Sequence, residues 1–301
     1  MLLNIITGGI GSGKSSCLRR LIEENLKNNP GTNAVLIVPE QFSYTAEKSL
    51  AEDMGGLGLN RIEVLTFSRL VHRYTDSGRN ILSSGKMMLA AKAASELSED
   101  NVFCSCAGRS GFINSCSELF SEFKRYGIMP SDLDGISCEN IHTEKKITSI
   151  NEIYKRYLDL FPDELTDGDD ALGLFAEKIS GGGLFENTFF FIDDYSDFLP
   201  GHIDVIRALL RVSRGVHIAL GPDGENGGEL FAPIIKTKKK LIAIALSEGV
   251  QPYTKFLSAP PEYIAAPDIR HLLENWEEKP EYNGSCENIA VFRARDLSSE
   301  V

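Results

Sequence analysis

Leu2 to Ser15 reads LLNIITGGIGSGKS: an apolar run of strand character leads into glycines, a lysine and a serine. Within it, Gly8-x-x-x-x-Gly13-Lys14-Ser15 satisfies the phosphate-loop pattern, and it stands where that pattern carries meaning, after a strand and before a helix. Glycines let the backbone turn its N–H groups onto a phosphate, and the helix N-terminus adds partial positive charge. The expected nucleotide contacts are therefore Gly8, Gly9, Ile10, Gly11, Ser12, Gly13, Lys14 and Ser15. Lys14 is expected on the β- and γ-phosphates of ATP and the Ser15 hydroxyl on Mg²⁺.

Working outward, Ser16 to Asn29 places Cys17, Leu18, Leu21, Ile22 and Leu26 at three-and-four spacing, an amphipathic helix stopped by Asn28-Asn29-Pro30-Gly31. AVLIVPEQ (Ala34 to Gln41) is a buried-type strand broken by Pro39, and YTAEKSLAEDM is a short helix after it. RIEVLTFSRLVHRY supplies a third strand, Ile62 to Phe67, running directly into a helix. Alternating strands and helices predict an α/β fold of the P-loop NTPase class, with a parallel sheet and helices on both faces.

From about Ser83 to Ile179 the pattern turns helical, with segments at Lys86 to Ser98, Phe112 to Tyr126 and Lys145 to Phe161. Sheet character returns with TFFFIDD (Thr188 to Asp194), the helix HIDVIRALLRV and the strand GVHIALGPD. The expected division is a nucleotide-binding lobe over 1–82 and 184–287 with a helical insertion over 83–183. Prolines at 252, 260, 261, 267 and 280 mark loops around the helical DIRHLLENWEE. NIAVFRA (Asn288 to Ala294) reads as a last strand, which either adds to an edge of the sheet or opens a further lobe over 288–301.

A P-loop works with an acidic site at the end of a neighbouring strand, and FFFIDDYSDF supplies one. Asp193 is the candidate carboxylate on the Mg²⁺ side and Asp194 the candidate that polarises water. Composition narrows the rest. The chain has 301 residues, 42% of them hydrophobic and 25% charged, as in an ordinary soluble protein with a real core. No apolar run approaches the roughly 18 residues that span a bilayer, which predicts a cytoplasmic protein without membrane contact. The six cysteines match no zinc spacing and read as reduced thiols. A net charge of -12 argues against coating nucleic acid by bulk electrostatics, leaving only local basic groups, Arg69/Arg73 and Lys236 to Lys240 among them.

The order of these signals resembles the first RecA-like lobe of superfamily 1 DNA helicases of the UvrD/RecB type. LTFSRL stands where those helicases meet single-stranded DNA, IDDYSDF where they read Asp-Glu-x-x-Asp, and IALGPDGEN where they read Val-Gly-Asp-x-x-Gln. LIVPEQFSYTAEKSL, VLTFSRLVHR and FFFIDDYSDFLPGHIDVI together are similar to the N-terminal part of the B subunit of AddAB-type ATP-dependent helicase–nucleases. The resemblance implies a RecA-like fold, a partner A subunit in a heterodimer, DNA as ligand, and double-strand break processing in recombinational repair. It also implies a second lobe following this region and an iron–sulfur cluster only in a later C-terminal nuclease domain. On the same ground Thr66, Phe67, Ser68 and Arg69 are expected at DNA, with Phe67 stacking on a base.

Departures from the helicase pattern shape the expected activity. Only Met1 precedes Leu2 where an adenine-reading glutamine is usual, Asp194 replaces a glutamate, and Glu225 stands nearest the lost γ-phosphate-sensing glutamine. ATP binding with weak or no turnover is therefore expected. A competent motor ATPase is one alternative; a small-molecule kinase is another, because TGGIGSGKS also resembles the opening of dephospho-coenzyme A kinases.

Overall fold

Strand β1 (Leu2–Gly8) leads into helix α1 (Lys14–Asn28), as the apolar run and its glycines predict. The structure is a computed structural model that describes residues 1–55, 59–75, 79–162, 165–221, 231–257, 266–275 and 279–294. With β2 (Asn33–Ile37), β3 (Ile62–Leu65), β6 (Thr188–Ile192), β7 (Gly215–Leu220) and β8 (Gln251–Leu257), β1 forms a sheet ordered β3-β2-β6-β7-β1-β8. The pairs β1–β7, β1–β8, β2–β6 and β6–β7 are all parallel. β6 and β7 are buried at every position, which is why both read as unbroken apolar runs. On one face, Cys17, Leu18, Ile22 and Leu26 of α1 pack with Leu36, Phe189 and Phe191 of the sheet and with Leu50 of α2 (Ser43–Met54). Helix α10 (Ala232–Ser247) runs beside β8 and buries Thr237, Leu241, Ile244 and Ala245. The result is an α/β, RecA-like fold: a parallel sheet flanked by helices.

One buried polar pair sits in this sheet. Asn4 and His217 face each other across β1 and β7, amide to Nδ1 at 3.3 Å, and the imidazole stacks on Phe191 with centroids 4.7 Å apart. Burial lowers the His217 pKa to about 4. Between pH 6.5 and 4 the unfolded chain therefore binds a proton that the folded chain refuses, so stability falls with pH across that window, by up to about 1.4 kcal/mol per pH unit. Melting curves from about pH 7.5 to 4.5 should be flatter for His217→Gln than for the parent chain. Equal slopes would show that the imidazole is not held neutral.

The chain divides into two compact units, one of Met1–Val64, Asn187–Asp197 and Arg214–Val301, the other of Leu65–Glu186 and Phe198–Ser213. The break therefore falls near residue 65 rather than at 82/83, because α3 (Phe67–Tyr74) and α9 (Pro200–Val212) pack with α8 (Ala171–Ser180) in the second unit. α8 and α9 approach so closely that a Cβ on Gly201 would lie 2.9 Å from the Leu172 Cβ. The three helices expected in the insertion form as α4 (Ser83–Ser95), α5 (Ser110–Arg125) and α7 (Ile141–Asp159), each starting two to four residues early. Ala90 and Ala93 of α4 leave room for Phe120, Tyr154 and Tyr157, and Phe120 stacks on Tyr154 at 5.1 Å.

A charge cluster ties this unit together beside the short pair β4 (Arg79–Asn80) and β5 (Leu165–Thr166). Asp167, its side chain fully buried, meets Lys86 of α4 at 2.5 Å and Lys124 of α5 at 2.9 Å; Asp169 holds Lys86 and Asp170 holds Lys124. Burial pushes the Asp167 carboxyl up, but hydrogen bonds from Lys86, the Asp169 N–H and Lys124 outweigh it and hold the group below the ordinary carboxylate range.

Two sequence expectations are corrected at the C-terminal side. Pro252 lies in β8 rather than in a loop, which an edge strand tolerates because the missing N–H need not join the ladder. Residues 288–294 form no strand: Asn288 is held by the Asp268 carboxylate of α11 (Pro267–Glu274) through its N–H at 2.8 Å and its amide at 3.0 Å, and beyond it Val291 and Phe292 are 92% and 90% exposed. The segment has strand-like composition but no neighbour among the described residues to pair with.

Candidate functional site

The loop between β1 and α1 is built on glycine geometry. Gly11 and Gly13 have φ of 73° and 84°, and Gly13 is the N-cap of α1. Gly8 ends β1 with no room for a side chain, since a Cβ there would lie 2.5 Å from the Ser12 Oγ and 2.8 Å from the Leu257 carbonyl oxygen. The first helical bond runs from Cys17 N–H to the Gly13 carbonyl at 2.8 Å, so the preceding first-turn N–H groups of α1 have no acceptor within the helix and face the loop. Ile10, at the tip, is 74% exposed. The Lys14 ammonium lies under the loop and donates to the Gly8 and Gly9 carbonyls at 2.9 and 2.8 Å.

The sheet brings the acidic pair to this loop even though β7 separates β1 from β6. Asp193, only 7% exposed, accepts hydrogen bonds from the Ser15 hydroxyl and from the Asp194 N–H, the latter at 3.0 Å. Its own N–H donates to the Ile37 carbonyl at 3.0 Å, tying the strand end to β2. Asp194 has φ of 61°, in the left-handed region where aspartate is among the few non-glycine residues that settle. Burial, and then the neighbouring Asp194 charge, raise the Asp193 pKa; burial also raises that of Asp194 against the pull of Lys14. Burial likewise lowers the Lys14 pKa against the pull of both aspartates.

Each of these groups is thus penalised in its charged form and would regain that form beside an opposite charge. A divalent cation next to Ser15 and Asp193, and phosphate oxygens next to Lys14 and the loop N–H groups, are the ligands such a set fits. Bound there, Mg²⁺ would neutralise phosphate charge and orient the nucleotide.

Sequence reasoning did not find the wall opposite the acids. A cavity of ≈ 140 Å³ opens beside Ser15, Asp193 and Asp194, closed by Arg19 of α1 and by Phe42, Thr45 and Ser49 at the start of α2. Arg19 does not point at the acids; it holds Asp53 at 2.6 Å and so clamps α1 to α2. The stretch VPEQFSYTAE contains these α2 residues, but no spacing within it marks which of them turn inward. Glu225, the expected remnant of the γ-phosphate sensor, lies outside the described residues.

Thr66 to Arg69 lie in the second unit, at the start of α3, where the structure separates two structural residues from two exposed ones. The Thr66 hydroxyl caps α3 by accepting from Arg69 N–H at 3.1 Å. Phe67 is 2% exposed, stacked on His202 at 4.2 Å and edge-on to Phe198 at 6.5 Å. Its ring is a core element here, which corrects the expectation that it stacks on a base. Ser68 and Arg69 are exposed, and His72 and Arg73 one turn on are exposed as well.

Residues 5–273 match the family described as ADDB, N-terminal. The chain belongs to this AddB N-terminal family. Among its relatives, the B subunit of the ATP-dependent helicase/deoxyribonuclease of Clostridium novyi is 29% identical over 317 residues, covering 100% of this chain and 28% of that protein. The B subunits of the same name from Acetivibrio thermocellus and Clostridioides difficile are 29% identical over 319 and 324 residues, with the same coverage. The chain thus spans 28% of the length of these AddB-type relatives. The family match includes the phosphate loop from Ile5 onward, Asp193, Asp194 and α3.

Proposed function

We propose that this chain is the nucleotide-holding, DNA-engaging N-terminal part of a helicase–deoxyribonuclease B subunit, which binds MgATP at Gly8 to Ser15 and turns it over weakly or not at all. The observation that carries it is the convergence of Lys14, Ser15, Asp193 and Asp194 on one loop, each group strained by burial toward its neutral form or held by the next. The names of the relatives support the larger assignment: a heterodimer with an A subunit, acting on DNA ends in double-strand break repair.

Low turnover follows from the same geometry. Asp194 reaches one methylene less than glutamate would, from a backbone turned into the left-handed region and toward Lys14. A general base acts only within hydrogen-bond reach of the water it polarises. Arginine fingers, which contribute about 10³ to 10⁵ in rate, are assigned here to a second lobe.

At the DNA, the exposed face of α3 takes the role first given to Phe67, with Ser68, Arg69, His72 and Arg73 meeting phosphates. Turnover distinguishes a holding site from a motor. With single-stranded DNA present, the chain should hydrolyse ATP no faster than Lys14→Ala; DNA-stimulated hydrolysis that disappears in Lys14→Ala would establish the motor instead.

A further inference from the structure

Helix α10 carries a second, unassigned cationic surface. Its sixteen residues, APIIKTKKKLIAIALS, contain no aspartate or glutamate. Thr237, Leu241, Ile244 and Ala245 are buried, and the Thr237 hydroxyl donates to Asp197 at 3.0 Å, which locks the helix rotation. Lys236, Lys239 and Lys240 are consequently exposed on the opposite side, spaced as neighbours on one helical face.

Other surface cations in this chain are neutralised one turn away, as in Arg20–Glu24, Lys27–Glu23, Lys48–Glu52 and Arg156–Glu152. Lys236, Lys239 and Lys240 enter none of the ion pairs among the described residues. Lys236 and Lys240, four residues apart, repel each other and weaken the helix that bears them. An unneutralised, self-repelling cluster on a chain of net charge -12 needs an outside source of negative charge to offset that cost.

We propose that Lys236, Lys239 and Lys240 form a face of α10 that tracks a nucleic-acid phosphate backbone. Lysines one turn apart on a helix are separated by a distance comparable to that between consecutive phosphates on an extended strand. Lysine is depleted from protein–protein interfaces, whose anchors are aromatic residues and arginine, and the sequence of α10 contains neither. The nearest large apolar side chain of α10 exposed on the outward side is Leu246, more than a turn beyond Lys240. Lysine as a flexible point charge suits backbone contact without base reading. This surface rests on the DNA-engaging role proposed above and adds to α3 a contact on the sheet-bearing unit.

The test is fluorescence anisotropy of a labelled single strand of about 20 nucleotides with the 301-residue chain and with a Lys236→Gln/Lys239→Gln/Lys240→Gln variant, across a salt series. Loss of three phosphate contacts should lower the slope of log affinity against log salt by about 2, weakening binding on the order of 10- to 100-fold at about 0.1 M salt. The melting temperature and its rise with MgATP should stay at the parent values, which separates this outcome from failure of the nucleotide site. Equal affinity and slope in the variant, with the parent binding DNA, would overturn the α10 assignment alone. So would unchanged DNA binding accompanied by lost binding to an acidic protein. A parent chain that binds no DNA would overturn both this assignment and the DNA-engaging role.

Discussion

Lys14→Ala is expected to abolish the rise in melting temperature that MgATP gives the parent chain. At nucleotide concentrations about 100-fold above the dissociation constant, binding stabilises the folded state by about 2.7 kcal/mol. In a domain of this size that is a rise of roughly 5–10 °C. The ammonium is where the loop needs it, on the Gly8 and Gly9 carbonyls and within the field of Asp193 and Asp194. The variant's melting temperature without nucleotide shows that the substitution leaves the fold intact. A rise equal to the parent's would mean that the nucleotide is held elsewhere.

Asp167→Ala should produce the largest loss of stability, about 3 kcal/mol or more, seen as a fall in melting temperature of roughly 6–12 °C. The side chains of Lys86 and Lys124 are only 13% and 8% exposed, and both converge on the Asp167 carboxylate. Removing it leaves two buried cations with one partner each, Asp169 and Asp170, which keeps the loss at the lower end of what breaking a buried pair costs. Because Asp167 is held below its ordinary pKa, its contribution is present above the unfolded carboxylate value and is lost as pH falls through the folded one. Replacing the trio together by Lys86→Met, Lys124→Met and Asp167→Leu should recover most of the loss, since none of the three charges is then left buried. An unchanged melting temperature in Asp167→Ala would show that the cluster is solvated rather than structural.

The parts of this molecule that were legible in sequence are those whose signal is local. β1, β6 and β7 lie inside the sheet and so read as apolar runs, and the glycines of the loop declare their backbone by spacing alone. β8 was hidden because an edge strand is exposed along most of its length and here contains Pro252. The opposite error arose at 288–294, where apolar residues read as a strand although nothing described lies beside them to pair with. Phe67 shows a third limit. Its burial depends on His202 and Phe198, distant in sequence, and no pattern around LTFSRL announces them. The charge cluster is equally non-local, because Lys86, Lys124 and Asp167 meet only once three separate segments have packed.

Asp193 and Asp194 belong to both categories. Their place at the end of β6 was legible; the left-handed turn at Asp194, which sets how far its carboxylate reaches, was not. On the proposed reading, that turn separates a site that holds a nucleotide from one that cleaves it.

Calorimetric titration of the 301-residue chain with MgATP, alongside Lys14→Ala, tests the nucleotide-holding loop most directly. The predicted result is a saturable one-to-one isotherm for the parent chain, complete below millimolar nucleotide and absent from Lys14→Ala. No binding heat at millimolar MgATP, or the same isotherm from both proteins, would contradict it.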